Sequence, residues 1–270
     1  MHVELFGEGY DFRVFEVDAR WLFRFPKREV CATKLIMECR LLLGLGKWIS
    51  LPVPSYEYFG ESRDSSSRPF AGYRKLPGIP GDVSETVDWH MVARQLGLFL
   101  DKLHTYPVDR AREAGVSEQS DLVAHWHDKA FEELNRNVDL NVDIHDLRRY
   151  LENNVSSPFE DAPRLVHNDL WAEHILVDLR SGGVSGIIDW GDAVIGDPAV
   201  DFAGLYTWCE ESWLESVLES YPGTLDSEVI SRARYLATCQ AIHCITLGRD
   251  LLRPRWIKAG QEALRLVFST

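Results

Sequence analysis

With 270 residues, 45% hydrophobic and 26% charged, the chain is long enough for one large domain or two lobes sharing a cleft, and its core needs no disulfide or metal staples. Twenty-nine Lys and Arg against 42 Asp and Glu leave a net charge of −13, which disfavours phosphate backbones and anionic membranes as partners and stays compatible with a cationic small substrate. Five cysteines without a CxxC spacing argue for reduced thiols and against a structural zinc site or a secreted disulfide scaffold. The N-terminus carries early acidic residues and no basic stretch followed by an apolar one, and no run approaches 18 apolar residues. The expectation is a cytoplasmic protein, acting as a monomer, with no nucleic-acid or membrane partner.

In chain order, VELFGEGYDFRVFEVDARWLFRFP alternates apolar and polar residues. Phe12, Val14, Phe15 and Val17 predict one strand, Asp18-Ala19-Arg20 a turn, and Leu22, Phe23 and Phe25 the next strand. Residues 30–43 switch to helical spacing through Ala32, Leu35, Ile36, Cys39, Leu42 and Leu43. The polar stretch 60–69 is short enough to be one loop between strands, and PFAGYRKLPG is then a strand broken at Pro77-Gly78. Residues 1–76 thus read as a small β-rich lobe with one helix, and a Pro/Gly hinge at about 74–80 leads into a helical lobe, 77–270. There Trp89 to Leu103, Leu122 to Leu134 and Ile144 to Leu151 mark three amphipathic helices. One β interruption follows: Ile175–Val177 and Val184–Ile188 flank Ser181-Gly182-Gly183, a hairpin signal. Beyond Pro198 the periodicity is helical to the end. The fold class is α+β, and the organisation predicts a cleft between the lobes.

The densest polar cluster is His167-Asn168-Asp169-Leu170-Trp171-Ala172-Glu173-His174, with Asp189 fifteen residues further on. Asp169 and His174 precede one strand of the hairpin and Asp189 ends its partner, so the hairpin should bring them to one point. A carboxylate beside a hydroxyl can act as a base, and an Asp–His pair can hold a divalent cation. Asp197 and Pro198 read as the N-cap and first residue of a helix, with Asp201 in its first turn.

HNDLWAEH, then GIIDWGD, then IGDPAVDF resembles the aminoglycoside phosphotransferase family, whose members share the two-lobed protein-kinase fold. GEGYDFRVF looks like its nucleotide loop, LFRFPK its third strand and GYRKLPG its hinge, so the resemblance covers about residues 5 to 210. It implies that Asp169 accepts the proton of the substrate hydroxyl and that Asp189 binds magnesium bridging the phosphates of ATP or GTP. His167 opens the motif as a structural residue. Gly7 and Gly9 would lie over the nucleotide, Lys75 and Leu76 would border it at the hinge, and Tyr73 would narrow its base pocket. His174 stands where the family usually has Asn as second metal ligand. A branch that includes aminoglycoside 2″-phosphotransferases and macrolide phosphotransferases looks similar in carrying His there. Arg24 takes the place of the kinase lysine, with Lys27 three residues later; either can be the phosphate-binding cation. Glu38 borders the buried face of its helix, where it suits an ion pair with Arg24 or Lys27.

The implied reaction is transfer of a γ-phosphoryl group to a hydroxyl of an antibiotic-like cation: an aminoglycoside, a macrolide or a cyclic peptide. The alternatives are a metabolic kinase of choline, homoserine or sugar type, and a degenerate kinase that binds nucleotide without turnover. A protein kinase is disfavoured, because Asp-Phe-Gly and Ala-Pro-Glu are missing. For the cationic acceptor the candidate carboxylates are Asp192, three residues past Asp189, and Glu210 and Glu211, read as ending the helix that starts at Pro198. A helix C-terminus disfavours negative charge, a cost that a bound polyamine would offset. His125 and His127, two apart, belong to different helix faces and do not suggest a metal site.

Overall fold

The computed structural model describes residues 1–62, 67–119, 121–136, 140, 142–155, 159–206, 208 and 211–268. The alternating N-terminal segments form a five-stranded antiparallel sheet in the order β1-β2-β3-β5-β4. Its strands are β1 (Val3–Glu8), β2 (Phe12–Val17), β3 (Trp21–Pro26), β4 (Tyr56–Glu61) and β5 (Pro69–Arg74). Asp18-Ala19-Arg20 is the turn between β2 and β3: Asp18 and Ala19 both take a left-handed φ of 52°, Arg20 N–H donates to the Val17 carbonyl at 3.1 Å, and Val17 pairs with Trp21. The helical spacing becomes α1 (Glu29–Leu45), which buries Cys31, Leu35, Leu42 and Leu45 against the sheet side of the lobe.

The chain leaves β5 through residues 75–78 and enters the second lobe as β6 (Ile79–Pro80), paired with β8 (Ile175–Val177), which pairs with β9 (Val184–Ile187). Gly78, at φ 100°, lies so close to this hairpin that a Cβ would sit 2.3 Å from Ser185 Oγ and 2.6 Å from the Val177 carbonyl. Ser185 Oγ also donates to the Pro77 carbonyl at 2.7 Å. The connector is therefore docked on the β8–β9 hairpin rather than free.

The second lobe is mostly helical. It comprises α2 (Trp89–His104), α3 (Val108–Ala114), α4 (Leu122–Leu134), α5 (Ile144–Asn153), α6 (Ala199–Tyr206), α7 (Glu211–Glu219), α8 (Val229–Asp250) and α9 (Pro254–Phe268). A small ribbon of β7 (Arg164–Val166) and β10 (Val194–Gly196) flanks the hairpin. The architecture is the expected two-lobed α+β fold, an antiparallel β-lobe with one helix beside a helical lobe. The three helices read from periodicity are α2, α4 and α5. α2 and α4 are N-capped by Asp88 and Asp121, whose side chains accept from Met91 N and Ala124 N.

The helix after Pro198 is shorter than its periodicity suggests. α6 ends at Tyr206, and Glu211 is the first residue of α7. Glu211 therefore stands at a helix start and not at the helix C-terminus read from sequence. Glu210 and Cys209 lie outside the described residues. The other four cysteines are unpaired, with Cys31, Cys39 and Cys239 buried. No helix among the described residues is long and apolar enough to cross a membrane.

Candidate active site

A cleft of about 1010 Å³ runs between the lobes, lined by Gly9, Arg24, Lys34 and Tyr73 on one side and by Asn168, Asp169, His174, Asp189 and Asp192 on the other. The hairpin does bring the predicted polar cluster together. Register pairs Ile175 with Ile187, and Ile188 N–H donates to the His174 carbonyl at 3.0 Å, so Asp189, the next residue, comes up beside His174. His174 Nε2 lies 3.7 Å from Asp189 Oδ2, and His174 Nδ1 lies 3.4 Å from Asp169 Oδ2.

Three backbone devices fix this geometry. His167 is fully buried and donates from Nε2 to the Ile188 carbonyl at 3.0 Å, which leaves Nδ1 to accept from Asp169 N at 3.3 Å. Burial pushes its pKa down to about 4, so the ring is neutral and works as a clamp between the catalytic loop and the end of β9. Asp201, fully buried, accepts from the backbone N–H of His167 at 3.0 Å and of Asn168 at 2.8 Å, and His104 Nε2 lies 3.2 Å away. Sequence reading placed Asp201 in a favourable first helical turn; packing makes it the anchor of the loop. Gly204 lets α6 come that close, since a Cβ there would stand 2.3 Å from the Leu170 carbonyl. Asn168 and Asp189 are both held at φ 65°, a left-handed conformation that non-glycine residues adopt only where their surroundings over-determine it. Asp201→Ala would leave two buried N–H groups without acceptors, at about 1–3 kcal/mol each. The expected result is a loss of about 3 kcal/mol in chemical denaturation together with a fall in turnover.

The charges of the site are strongly perturbed. Burial, reinforced by Asp192, Asp189 and Glu173 and opposed by His174, pushes Asp169 up to about 7. A carboxylate poised there is matched to proton abstraction near neutral pH. His174 is raised to about 9, because Asp169, Asp189 and Glu173 outweigh the burial that would lower it. Asp189 is held below the usual carboxylate range by Arg24 and His174 against its burial.

Arg24 is the partner of Glu38. Its Nη1 donates to both Glu38 oxygens at 2.8 and 2.7 Å and its Nη2 to Asp189 Oδ1 at 2.7 Å. Tyr56 OH completes the cluster by donating to Glu38 Oε1 at 3.0 Å. Lys27 instead pairs with Glu8 at 3.0 Å and donates to the Gly9 carbonyl at 3.2 Å, which stiffens the β1–β2 turn. Gly7 sits at a bulge in β1, and a Cβ there would meet nothing within 4 Å. Lys75 pairs with Glu16 at 2.9 Å, and Leu76 packs toward Gly186 of β9. Gly7, Lys27, Glu38, Lys75 and Leu76 therefore border the cleft wall rather than line it.

Sequence reading missed Lys34. It lies four residues before Glu38 on the same face of α1, and its Nζ donates to Asp192 Oδ1 at 2.6 Å and to Asp11 Oδ2 at 3.2 Å. Asp192 does face the cleft, but with its charge already balanced. His125 lines the cleft while His127 faces Tyr235, so the two histidines do point different ways.

Magnesium keeps several waters and is usually bound by one or two carboxylates plus substrate phosphates. Among the described residues no group of three or more His, Cys, Asp and Glu could hold a metal ion by itself. The donors that do converge fit that sparse mode. Asp189 keeps Oδ2 free beside His174 Nε2, whose ring is oriented by Nδ1 donating to the Asp169 carbonyl at 2.8 Å. The carboxylates that retain a proton on His174 are the ones that would favour a divalent cation in its place.

Residues 2–229 match the phosphotransferase enzyme family. The chain belongs to that family. Among solved structures, the GDP complex of wild-type aminoglycoside 2'-phosphotransferase-IIIa is 30% identical, covers 99% of this chain and 92% of its own, and superposes with a TM-score of 0.78. A GDP and kanamycin complex of an APH(2″) enzyme, also 30% identical over 99% of this chain and 93% of its own, gives a TM-score of 0.80. Macrolide 2'-phosphotransferase MphH from Brachybacterium faecium, 23% identical over 97% of this chain and 91% of its own with a TM-score of 0.70, shares the fold. The uncharacterized protein YcbJ of Bacillus subtilis is 42% identical over 57 residues, which span 21% of this chain and 18% of that protein. This phosphotransferase is a nucleotide-dependent enzyme acting on a small-molecule hydroxyl, in the kinase-like fold expected from HNDLWAEH and GIIDWGD.

Proposed function

We propose that this phosphotransferase moves the γ-phosphoryl group of ATP or GTP to a hydroxyl of a cationic, antibiotic-like acceptor, an aminoglycoside in the first instance. The observation that carries the reading is the convergence of Asp169, His174, Asp189 and Arg24 at one point of the cleft. The kanamycin bound by one 30%-identical relative and the net charge of −13 support an aminocyclitol-type acceptor. Asp169 takes the proton of the attacking hydroxyl, and His167 and Asp201 hold it in place. Arg24, anchored on Glu38, supplies fixed positive charge beside the phosphates. Asp189 and His174 hold magnesium, which when bound neutralises phosphate charge. The test is a substrate panel of aminoglycosides, macrolides and cyclic peptides alongside choline, homoserine and sugars, with both nucleotides. Phosphorylation of an aminoglycoside is the expected result, and turnover confined to choline, homoserine or sugars would move the assignment to a metabolic kinase.

The metal assignment has its own test. Asp189→Ala should abolish magnesium-dependent nucleotide binding in calorimetry, because it removes the anionic oxygen. His174→Asn should retain more, since it restores an oxygen donor at that position. Tight magnesium–nucleotide binding in Asp189→Ala would refute the assignment.

A further inference from the structure

A chain of polar contacts crosses the cleft without using Arg24, Asp169, His174 or Asp189. On the sheet side, Asp11 of the β1–β2 loop accepts from Arg28 Nη2, from Cys31 Sγ at 3.3 Å and from Lys34 Nζ at 3.2 Å, all on α1 or at its start. Of the three, Lys34 also reaches the second lobe, where Nζ donates to Asp192 Oδ1 at 2.6 Å. The Asp192 carbonyl accepts from Asn168 Nδ2 at 3.1 Å, and Asn168 is the residue before Asp169. The chain thus runs from the β1–β2 loop to the loop that carries Asp169. From the same lobe Arg253 Nη2 meets the other end of the β1–β2 loop, donating to the Glu8 carbonyl at 2.9 Å.

Burial would lower the pKa of Lys34, and Asp192 and Asp11 raise it overall, so the ammonium stays charged. Asp11 and Asp192 are matched by Arg28 and Lys34, while Glu38, one turn further along α1, is engaged by Arg24 and Tyr56. Asp169 and Asp189 are further carboxylates on the same wall as Asp192, and Asp169 feels the Asp192 charge. Arg24 also joins the lobes, through Asp189 at 2.7 Å. That contact engages the cation and the carboxylate that phosphates and metal would claim, so an entering nucleotide loosens it. The Lys34 contact engages neither and can persist when the cleft is filled. We propose that Lys34 is a positioning residue for the nucleotide, strapping the β1–β2 loop to the loop that carries Asp169. The inference rests on the phosphotransferase reading above and adds that the β1–β2 loop is held from the second lobe as well as from its own.

Calorimetry of the full chain with magnesium and GDP or ADP tests the strap without an acceptor. Lys34→Met should weaken nucleotide binding about fivefold, the upper end of what a part-exposed ion pair supplies, and lower the melting temperature by no more than about 3 °C. A larger fall in melting temperature would make Lys34 a structural residue and overturn the proposal. Lys34→Arg should recover part of the lost affinity. Asp192→Asn separates a strap from a plain charge. Removing a carboxylate beside bound phosphates should by itself tighten binding, so weaker binding in this variant reads the loss of the strap. The double variant should bind as weakly as Lys34→Met. Tighter binding in Asp192→Asn, with the double variant restored to wild type, would leave Lys34 as a charge near the phosphates and overturn the proposal. In the nucleotide-free protein, hydrogen exchange over residues 7–12, where Gly9 N–H donates to the Phe12 carbonyl at 3.0 Å, should quicken in Lys34→Met and Asp192→Asn. Nucleotide binding by wild type, with affinity and exchange unchanged in the variants, sinks the inference and spares the functional reading. A wild-type protein that binds neither nucleotide sinks the functional reading and the inference with it.

Discussion

Asp169→Asn is expected to lower turnover by about 10²- to 10⁴-fold while the protein stays folded and binds nucleotide. The amide keeps the size of the carboxyl and can still hydrogen-bond, but it cannot take the proton of the attacking hydroxyl. The loop that carries it is anchored through backbone and neighbouring groups, by His167 Nδ1 on its N–H and by Asp201 on the two residues before it. Its geometry should therefore survive the substitution. Positioning and electrostatics supply much of phosphoryl transfer, so a measurable residue of activity should remain. Steady-state kinetics with saturating nucleotide decide the matter. More than about a tenth of the wild-type rate, a loss below ~1.4 kcal/mol, would mean that another group accepts the proton.

Glu38→Ala should cost about 3–5 kcal/mol of folding stability, an effect large enough to read directly in chemical denaturation. The Arg24 side chain is 6% exposed and that of Glu38 is fully buried, so removing the carboxylate leaves a buried guanidinium with only Asp189 as anionic partner. Tyr56 would lose an acceptor in the same step. Glu38→Gln, which still offers an oxygen to Arg24, should lose less. A loss below about 1 kcal/mol in Glu38→Ala would place the pair with screened surface ion pairs and remove Glu38 as the anchor of Arg24.

Where the candidate site is built from residues near one another in the chain, the sequence was enough to bring them together. His167 to Asp189 span 23 positions folded on a single hairpin. Strand register then sets Ile188 opposite His174 and brings Asp189, one residue on, to the same end of the hairpin. The β2–β3 turn and the helices α1, α2, α4 and α5 were legible for a similar reason, since 2- and 3.6-residue periodicity is a local property of the chain. Charge partners were legible only as choices. Glu38 could take Arg24 or Lys27, and both basic residues lie near β3; the side-chain direction of alternate strand residues sends Arg24 inward to Glu38 and leaves Lys27 over the β1–β2 turn.

The surroundings of the acceptor carboxylates were hidden for the same reason. Asp192 is three residues past Asp189, as the sequence shows, but no local signal announces Lys34, 158 positions earlier, as the charge that engages it. Glu211 was placed at the end of the helix after Pro198, and it is the first residue of α7. Asp201 looked like a helix-start residue and is one, yet its work is to hold the loop 33 and 34 positions before it. The sequence by itself determined the two-lobed architecture, the β8–β9 hairpin and the family, because these rest on periodicity, turn chemistry and a short contiguous motif. Tertiary structure alone decided which cation meets which carboxylate. Those contacts join helices and strands distant in the chain, and a long charged side chain finds its partner only after packing has excluded the others.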